Sequence, residues 1–226
     1  MVTSVEALEL PAGAVYEMGL NEGNRSDVMY VAMRASQLAI DVRCVIDYDC
    51  GQYLDEHEYA ALRWTDFPAI ESYALEEETL NRANLVNFRE VLPSAAELMP
   101  GLTFALSELY AVRLKHLNLP EPRYSAGLSR QKPSLSEFDV EATVDVGIRP
   151  LIAEYPRPGK QDDPRSYAYG HDIAALLLAT YGNKLKNTAG LLHRDAVEGA
   201  LVSAMLAIGT YKTEHLFEGL TAWVAA

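Results

Sequence analysis

Cysteine and positive charge are both scarce in this chain of 226 residues. Cys44 and Cys50 are its only two cysteines, too few for a disulfide framework, and no Cys/His spacing resembles a zinc site. No histidine adjoins either in sequence, which argues against thiolate catalysis. Cys44 is expected in the core and Cys50 at its rim. No run of about 18 apolar residues is present to span a bilayer. The first eleven residues carry Glu6 and Glu9 in place of a basic leader with an apolar core, so a cytoplasmic protein is expected. Gly159-Lys160 lacks the upstream glycine and downstream Ser/Thr of a phosphate-binding loop, and ATP hydrolysis by this chain is not expected. No internal repeat or low-complexity tract is visible.

Basic residues number 19 against 32 acidic ones, a net charge of −13, which argues against a broad nucleic-acid-binding surface. The deficit is local. Residues 1–78 hold sixteen acidic residues and four basic ones (Arg25, Arg34, Arg43, Arg63), a net of −12, while the other 148 residues are nearly balanced, with 15 basic and 16 acidic. A solvated acidic face accounts for many of the sixteen. The remainder surround one motif.

That motif is Arg43 to Asp49, Arg-Cys-Val-Ile-Asp-Tyr-Asp. A short apolar, β-rich run ends in two carboxylates one residue apart, the pattern of a buried strand delivering Asp47 and Asp49 to its carboxyl-end rim. Two anions so close repel unless a cation lies between or beside them. Mg²⁺ is the natural candidate.

Its setting is a βαβ unit. Ala14 to Leu20 reads as a first strand, Val28, Val31, Ala32, Ala35, Leu38 and Ala39 recur at helical spacing, and Val42 to Ile46 is the second strand. Ser26 or Asn24 caps the helix. Such strands run parallel and open their loops at one sheet edge, where ligands of α/β sheets bind. Glu22 then stands beside Asp47 and Asp49. Leu62 to Thr65 is a candidate third strand, and Pro68 is expected to open a helix capped by Asp66 or Thr65, continued by Leu80, Leu85, Phe88 and Leu92. Pro100-Gly101 is expected to break a further helical region before Leu102, Leu106, Leu109 and Val112.

Residues 120–133 read as loop with a basic cluster, Arg123, Arg130 and Lys132. Val140, Ala142, Val144 and Val146 alternate with polar residues, as in a half-exposed strand. Residues 155–169 read as an exposed loop and subdomain boundary. Three apolar stripes follow: Ile173, Leu176, Leu177 and Tyr181; Val197, Leu201, Met205 and Ile208; Leu216, Phe217, Leu220 and Trp223. Gly182-Asn183 and Gly209 are expected to separate the helices.

Taken together, Glu22-Gly23 after a strand, Asp27 in the next helix and Asp47-Tyr48-Asp49 after a second strand resemble the Toprim domain of topoisomerases, primases and overcoming-lysogenization-defect (OLD) nucleases. Asp66 to Leu75, Asp-Phe-Pro-Ala-Ile-Glu-Ser-Tyr-Ala-Leu, and Tyr169 to Ile173, Tyr-Gly-His-Asp-Ile, resemble two segments of the small stand-alone OLD-like group. The pattern is similar to the Toprim effectors of PARIS anti-phage systems, and it spans roughly residues 14–180.

The resemblance implies an α/β fold. A Toprim-like Rossmannoid core with a central, largely parallel sheet would occupy residues 12–92, a helical insertion and return strand 93–155, and a helical C-terminal region 156–226. It implies phosphodiester cleavage dependent on Mg²⁺ or Mn²⁺, with Asp47 and Asp49 as ligands and Glu22 as either a ligand or the base that prepares water. Glu71 is the candidate for a second metal position; a cap, or an ion pair with Arg63 or Arg43, is the ordinary alternative. Asp27 either orients metal-bound water or is simply a first-turn helix acid. Where the family supplies a lysine to steady the phosphoryl charge, this chain has His171, with Lys160, Lys184 and Lys186 near it in sequence. The expected partners are an ABC-type ATPase that restrains the nuclease, a nucleic-acid substrate with tRNA or other RNA ahead of DNA, and further copies of the chain when active. The rival is a non-catalytic regulatory or scaffold subunit that docks a basic ATPase through its acidic surface. No membrane association is expected.

Overall fold

The computed structural model describes residues 25–48, 59–115, 135, 138–140 and 163–225. Helix dominates them. In chain order they form helix α1 (Arg25–Gln37), strands β1 (Cys44–Ile46) and β2 (Leu62–Trp64), a 3₁₀ turn (Ile70–Ala74), α2 (Glu77–Val86), α3 (Ala95–Lys115), a second 3₁₀ turn (Pro164–Tyr167), α4 (Gly170–Lys184), α5 (Arg194–Ile208), a third 3₁₀ turn (Thr210–Thr213) and α6 (His215–Val224). No described helix is long and apolar enough to cross a membrane. The expected strand at 14–20 and residues 141–146 of the expected strand at 140–146, with Glu22, Asp49, Cys50, Arg123, Arg130, Lys132 and Lys160, lie outside the described residues, and Val140 is helical and buried rather than part of a strand.

The parallel pairing expected between strands at 14–20 and 42–46 involves residues outside those described, and the parallel pairing seen joins 44–46 to the candidate third strand instead. β1 and β2 run parallel with Cys44 opposite Leu62 and Ile46 opposite Trp64. Among the described residues these are the only strands, so the sheet seen has two members rather than the larger number expected. α1 covers it, and Ala32, Ala35, Cys44, Ile46, Ala61 and Leu62 are buried together. The small alanines let helix and sheet approach closely, and the Ala61 amide donates to Ser36 Oγ at 3.1 Å. Leu38, placed on the same stripe by spacing, is 58% exposed because the helix ends at Gln37.

A second, larger core joins residues from Phe67 to Leu220. The three C-terminal stripes pack as their periodicity requires: Ile173, Leu176, Val197, Leu201, Phe217 and Leu220 are all buried there. Edge-to-face aromatic rings run through it, Phe67 to Tyr73 at 4.9 Å, Tyr73 to Phe217 at 5.3 Å and Phe217 to Tyr211 at 4.7 Å, the arrangement ring quadrupoles favour.

Three expected boundaries are corrected. Pro68 does not open an α-helix. The turn begins at Ile70 with Ala69 before it, because Thr65, Asp66 and Ser72 spend their side chains on longer-range bonds. Pro100 does not break its helix either. α3 passes through it, since a proline near the first turns forfeits only one intrahelical bond and Leu98, Leu102 and Leu106 anchor both sides in the core. Gly182-Asn183 lies inside α4, and the chain turns at Gly190 instead, whose φ of 73° caps a single π turn. Gly209 does end α5, with φ 82°.

Candidate functional site

Parallel strands end on the same side, so the residues that follow β1 and β2 meet at one edge. The Tyr48 amide donates to Thr65 Oγ1 at 2.8 Å, and that hydroxyl donates to the Phe67 carbonyl at 2.6 Å. Thr65 is thereby spent on joining the two strand ends. One residue earlier, Asp47 Oδ1 accepts the Ile70 amide at 3.1 Å. This bond sets the carboxylate of Asp47 against the start of the 3₁₀ turn that carries Glu71.

The turn is pinned from the other side as well. Ser72 Oγ accepts the Ala69 amide at 3.0 Å and donates to the Ala168 carbonyl. Ala168 precedes α4 by two residues, so Glu71 is brought against the first residue of that helix. A Cβ at Gly170 would stand 2.3 Å from Glu71 Oε2 and 2.8 Å from Glu71 Cβ. Only glycine leaves room for this carboxylate.

His171, the next residue, bonds through Nδ1 to Glu198 Oε1 on α5 at 2.9 Å. Arg194, one turn before Glu198, places Nε 3.3 Å from the same oxygen. The ring edge of His171 also meets Tyr169, centroids 5.6 Å apart, and Tyr169 lies under the Arg113 guanidinium at 4.0 Å. Arg113 in turn binds both oxygens of Asp172, at 2.7 and 2.8 Å. Asp172 is 1% exposed, so this fork-to-fork pair locks the start of α4 to α3.

The electrostatics follow from these positions. Burial pushes the Glu71 carboxyl above its ordinary range; its own amide opposes this, Asp47 and Glu198 add to it through their negative charge, and His171 works against it. The hydrogen bond from Glu198 raises His171, against its partial burial, with help from the charges of Glu198 and Glu71 and opposition from Arg194. Asp47, Glu71, His171 and Glu198 are therefore one electrostatic neighbourhood assembled from four separate elements.

Of the residues singled out by sequence, Asp47, Glu71 and His171 come together. Glu22 and Asp49 lie outside the described residues, and Asp27 sits in the first turn of α1. The ordinary ion-pair reading of Glu71 finds no support: Arg43 pairs with Asp41 at 3.1 Å, and Arg63 bonds the carbonyls of residues 60 and 62. Lys184 stands at the far end of α4, about 20 Å along the helix from His171 by its rise per residue, and Lys186 lies beyond it in the π turn Leu185–Ala189. They are not alternatives to it. Glu198 and Arg194 were not singled out, since at i, i+4 they read as a surface pair; the available signal was an acid directly beside the apolar stripe of α5.

Asp47 and Glu71 offer hard oxygen donors of the kind Mg²⁺ takes, and a partly buried carboxyl beside a second carboxylate is an arrangement that a divalent cation relieves. Among the described residues no group of three or more histidine, cysteine or carboxylate side chains is gathered to hold a metal ion. Comparison with known protein families, curated proteins and solved structures yields no match.

Proposed function

We propose that the chain is a metal-dependent nuclease with a Toprim-like α/β core, whose site is the strand-end edge carrying Asp47, together with Glu71 and His171. The observation that carries this reading is the placement of Glu71: a partly buried acid, set beside Asp47 by the bond of the Ile70 amide to Asp47 and accommodated by a glycine. Acids of a docking surface need solvent around them, so this placement favours the nuclease over a regulatory subunit that docks through acidic charge.

In this reading Asp47 and Glu71, completed by Glu22 and Asp49, hold Mg²⁺ or Mn²⁺. Bound there, such an ion would supply Lewis acidity to a phosphoryl oxygen and would lower the pKa of a water. Glu22 either ligates or takes the proton of that water. His171, held through Nδ1 by Glu198, donates a hydrogen bond to the phosphoryl group as negative charge develops, the part that a lysine plays in the family. Its position at the start of α4 adds the favourable end of a helix dipole to that contact. The substrate class is RNA, tRNA included, ahead of DNA. With few basic residues the chain suits a short structured substrate better than a long duplex track. An ABC-type ATPase restrains it in the cytoplasm, and the active form is a homo-oligomer.

The experiment is direct. Purified protein, alone and with its ATPase partner, is incubated with total RNA and with plasmid in Mg²⁺, Mn²⁺ or EDTA, beside Glu22→Ala, Asp47→Asn and Glu71→Gln. Cleavage is expected only with metal, reduced at least about 100-fold in each variant. Cutting in EDTA, or undiminished cutting by all three variants, sinks the proposal.

A further inference from the structure

Nothing in the sequence or in the resemblance assigns a role to Glu198, yet it is the residue on which the cationic side of the site converges. We propose that Glu198 is a positioning residue for the nuclease reaction: Oε1 fixes the His171 ring through Nδ1 and thereby presents Nε2 to the substrate phosphate. The inference rests on the nuclease reading above.

The geometry has three parts. Glu198 is the least exposed member of its cluster, with a side chain 12% exposed, whereas the His171 side chain is 38% exposed and that of Arg194 45%. A largely covered anchor holding a half-exposed imidazole and a half-exposed guanidinium differs from a surface pair, in which both partners are wet and little is fixed. Second, one oxygen serves both groups, Nδ1 of His171 at 2.9 Å and Nε of Arg194 at 3.3 Å. Arg194 is thus drawn to the same rim as the imidazole.

Third, the bond to Glu198 completes a set of restraints on His171 that begins elsewhere in the fold. Tyr169 meets the ring edge-on, Arg113 stacks on Tyr169, and Asp172 holds Arg113 through two bonds. The residues two before and one after His171 are therefore both anchored to α3. What remains for Glu198 is the rotation of the imidazole, which decides which nitrogen faces outward. An imidazole whose Nδ1 is engaged by a carboxylate has only Nε2 to offer, the same logic by which a second carboxylate orients catalytic and metal-bound histidines.

The test uses the full chain and two readouts. ¹⁵N spectra of the His171 ring report whether Nδ1 carries the proton and a hydrogen bond, independently of any activity. Cleavage of bulk tRNA in Mg²⁺ reports function. In Glu198→Ala the Nδ1 signature is lost and kcat falls about 10- to 100-fold with KM changed little. Glu198→Gln, which keeps an acceptor oxygen at the same reach, retains the signature and recovers most of the rate. Melting curves of both variants separate these effects from unfolding, and the isosteric glutamine remains informative if the alanine variant does not fold. An unchanged His171 spectrum in Glu198→Ala overturns the positioning role. A changed spectrum with undiminished cleavage overturns its part in the reaction while leaving the nuclease intact. A wild-type chain inert on both RNA and plasmid, with or without an ATPase partner, overturns the nuclease and this role with it.

Discussion

Glu71 is held where a carboxyl is least comfortable, and that discomfort is measurable. Its pKa is raised, first by burial and then by Asp47, so the folded state binds its proton more tightly than the unfolded chain does. The sign is fixed by linkage: stability is greatest below the ordinary value of 4.5 and is lost as pH rises through the raised folded value. Glu71→Gln removes that loss. In EDTA at neutral pH the variant is expected to melt higher than wild type, with the advantage shrinking to nothing as the buffer is taken below pH 4.5, while its cleavage activity disappears. Thermal melts across that range check it, and a glutamine variant less stable than wild type at neutral pH contradicts the account. His171 shows the same sign from the other chemistry. Its raised value means that the pairing with Glu198 is complete below the ordinary 6.5 and fades above the folded value. Gly170 could be noticed in the sequence, but its reason could not. The glycine is needed for a side chain about a hundred positions earlier in the chain.

At the scale of elements, short polar side chains act over long distances instead of capping their own neighbours. Asp66 looks from sequence like a cap for the segment after Pro68. It serves the last helix instead: its Oδ2 accepts the Leu216 amide at 3.0 Å, near the start of α6, and the Tyr73 hydroxyl at 2.9 Å. Arg165 does the same with charge, bonding Asp163, Glu76 at 2.6 Å and Glu214 at 2.7 Å while lying over the Phe67 ring. Burial alone would raise Asp163, but its bonds with Arg165 outweigh burial and hold it below the usual carboxylate range. Its share of stability is therefore present at neutral pH and is lost in acid. For Asp66 the consequence is quantitative. Asp66→Ala removes a helix-terminal acceptor, worth about 1 kcal/mol, and strips the fully buried Tyr73 hydroxyl of its acceptor, worth about 1–3 kcal/mol. A loss of about 2–4 kcal/mol is expected in urea unfolding, and a loss under about 0.5 kcal/mol is the result that removes Asp66 from this role. Helix stripes were legible because a period of 3.6 is written in consecutive residues. These ties were not, because nothing local marks which distant amide an aspartate will meet.

At the scale of the whole molecule, the charge imbalance of the first 78 residues and the placement of Asp47 beside Glu71 bear on the same prediction. If divalent cations bind at this edge, they stabilise the native state by mass action. Mg²⁺ at about ten times its dissociation constant adds about 1.4 kcal/mol, a rise in Tm of about 3–5 °C for a chain of this length. Asp47→Asn should abolish the rise, and a wild-type Tm indifferent to Mg²⁺, Mn²⁺ and Ca²⁺ would count the acids as a solvated face. The sequence by itself determined the helical C-terminal stripes, short strands near 44–46 and 62–64, and Asp47 at the end of the first of them, since each depends on spacing within a short stretch; that these two strands pair in parallel was decided by the tertiary structure. Only the tertiary structure decided that Glu71 would pack against Gly170, that Asp47 would meet its turn, and that Glu198 would hold His171. Those three contacts join segments whose side chains carry no record of one another, and they exist because the strand ends, the 3₁₀ turn, α4 and α5 pack at a single edge.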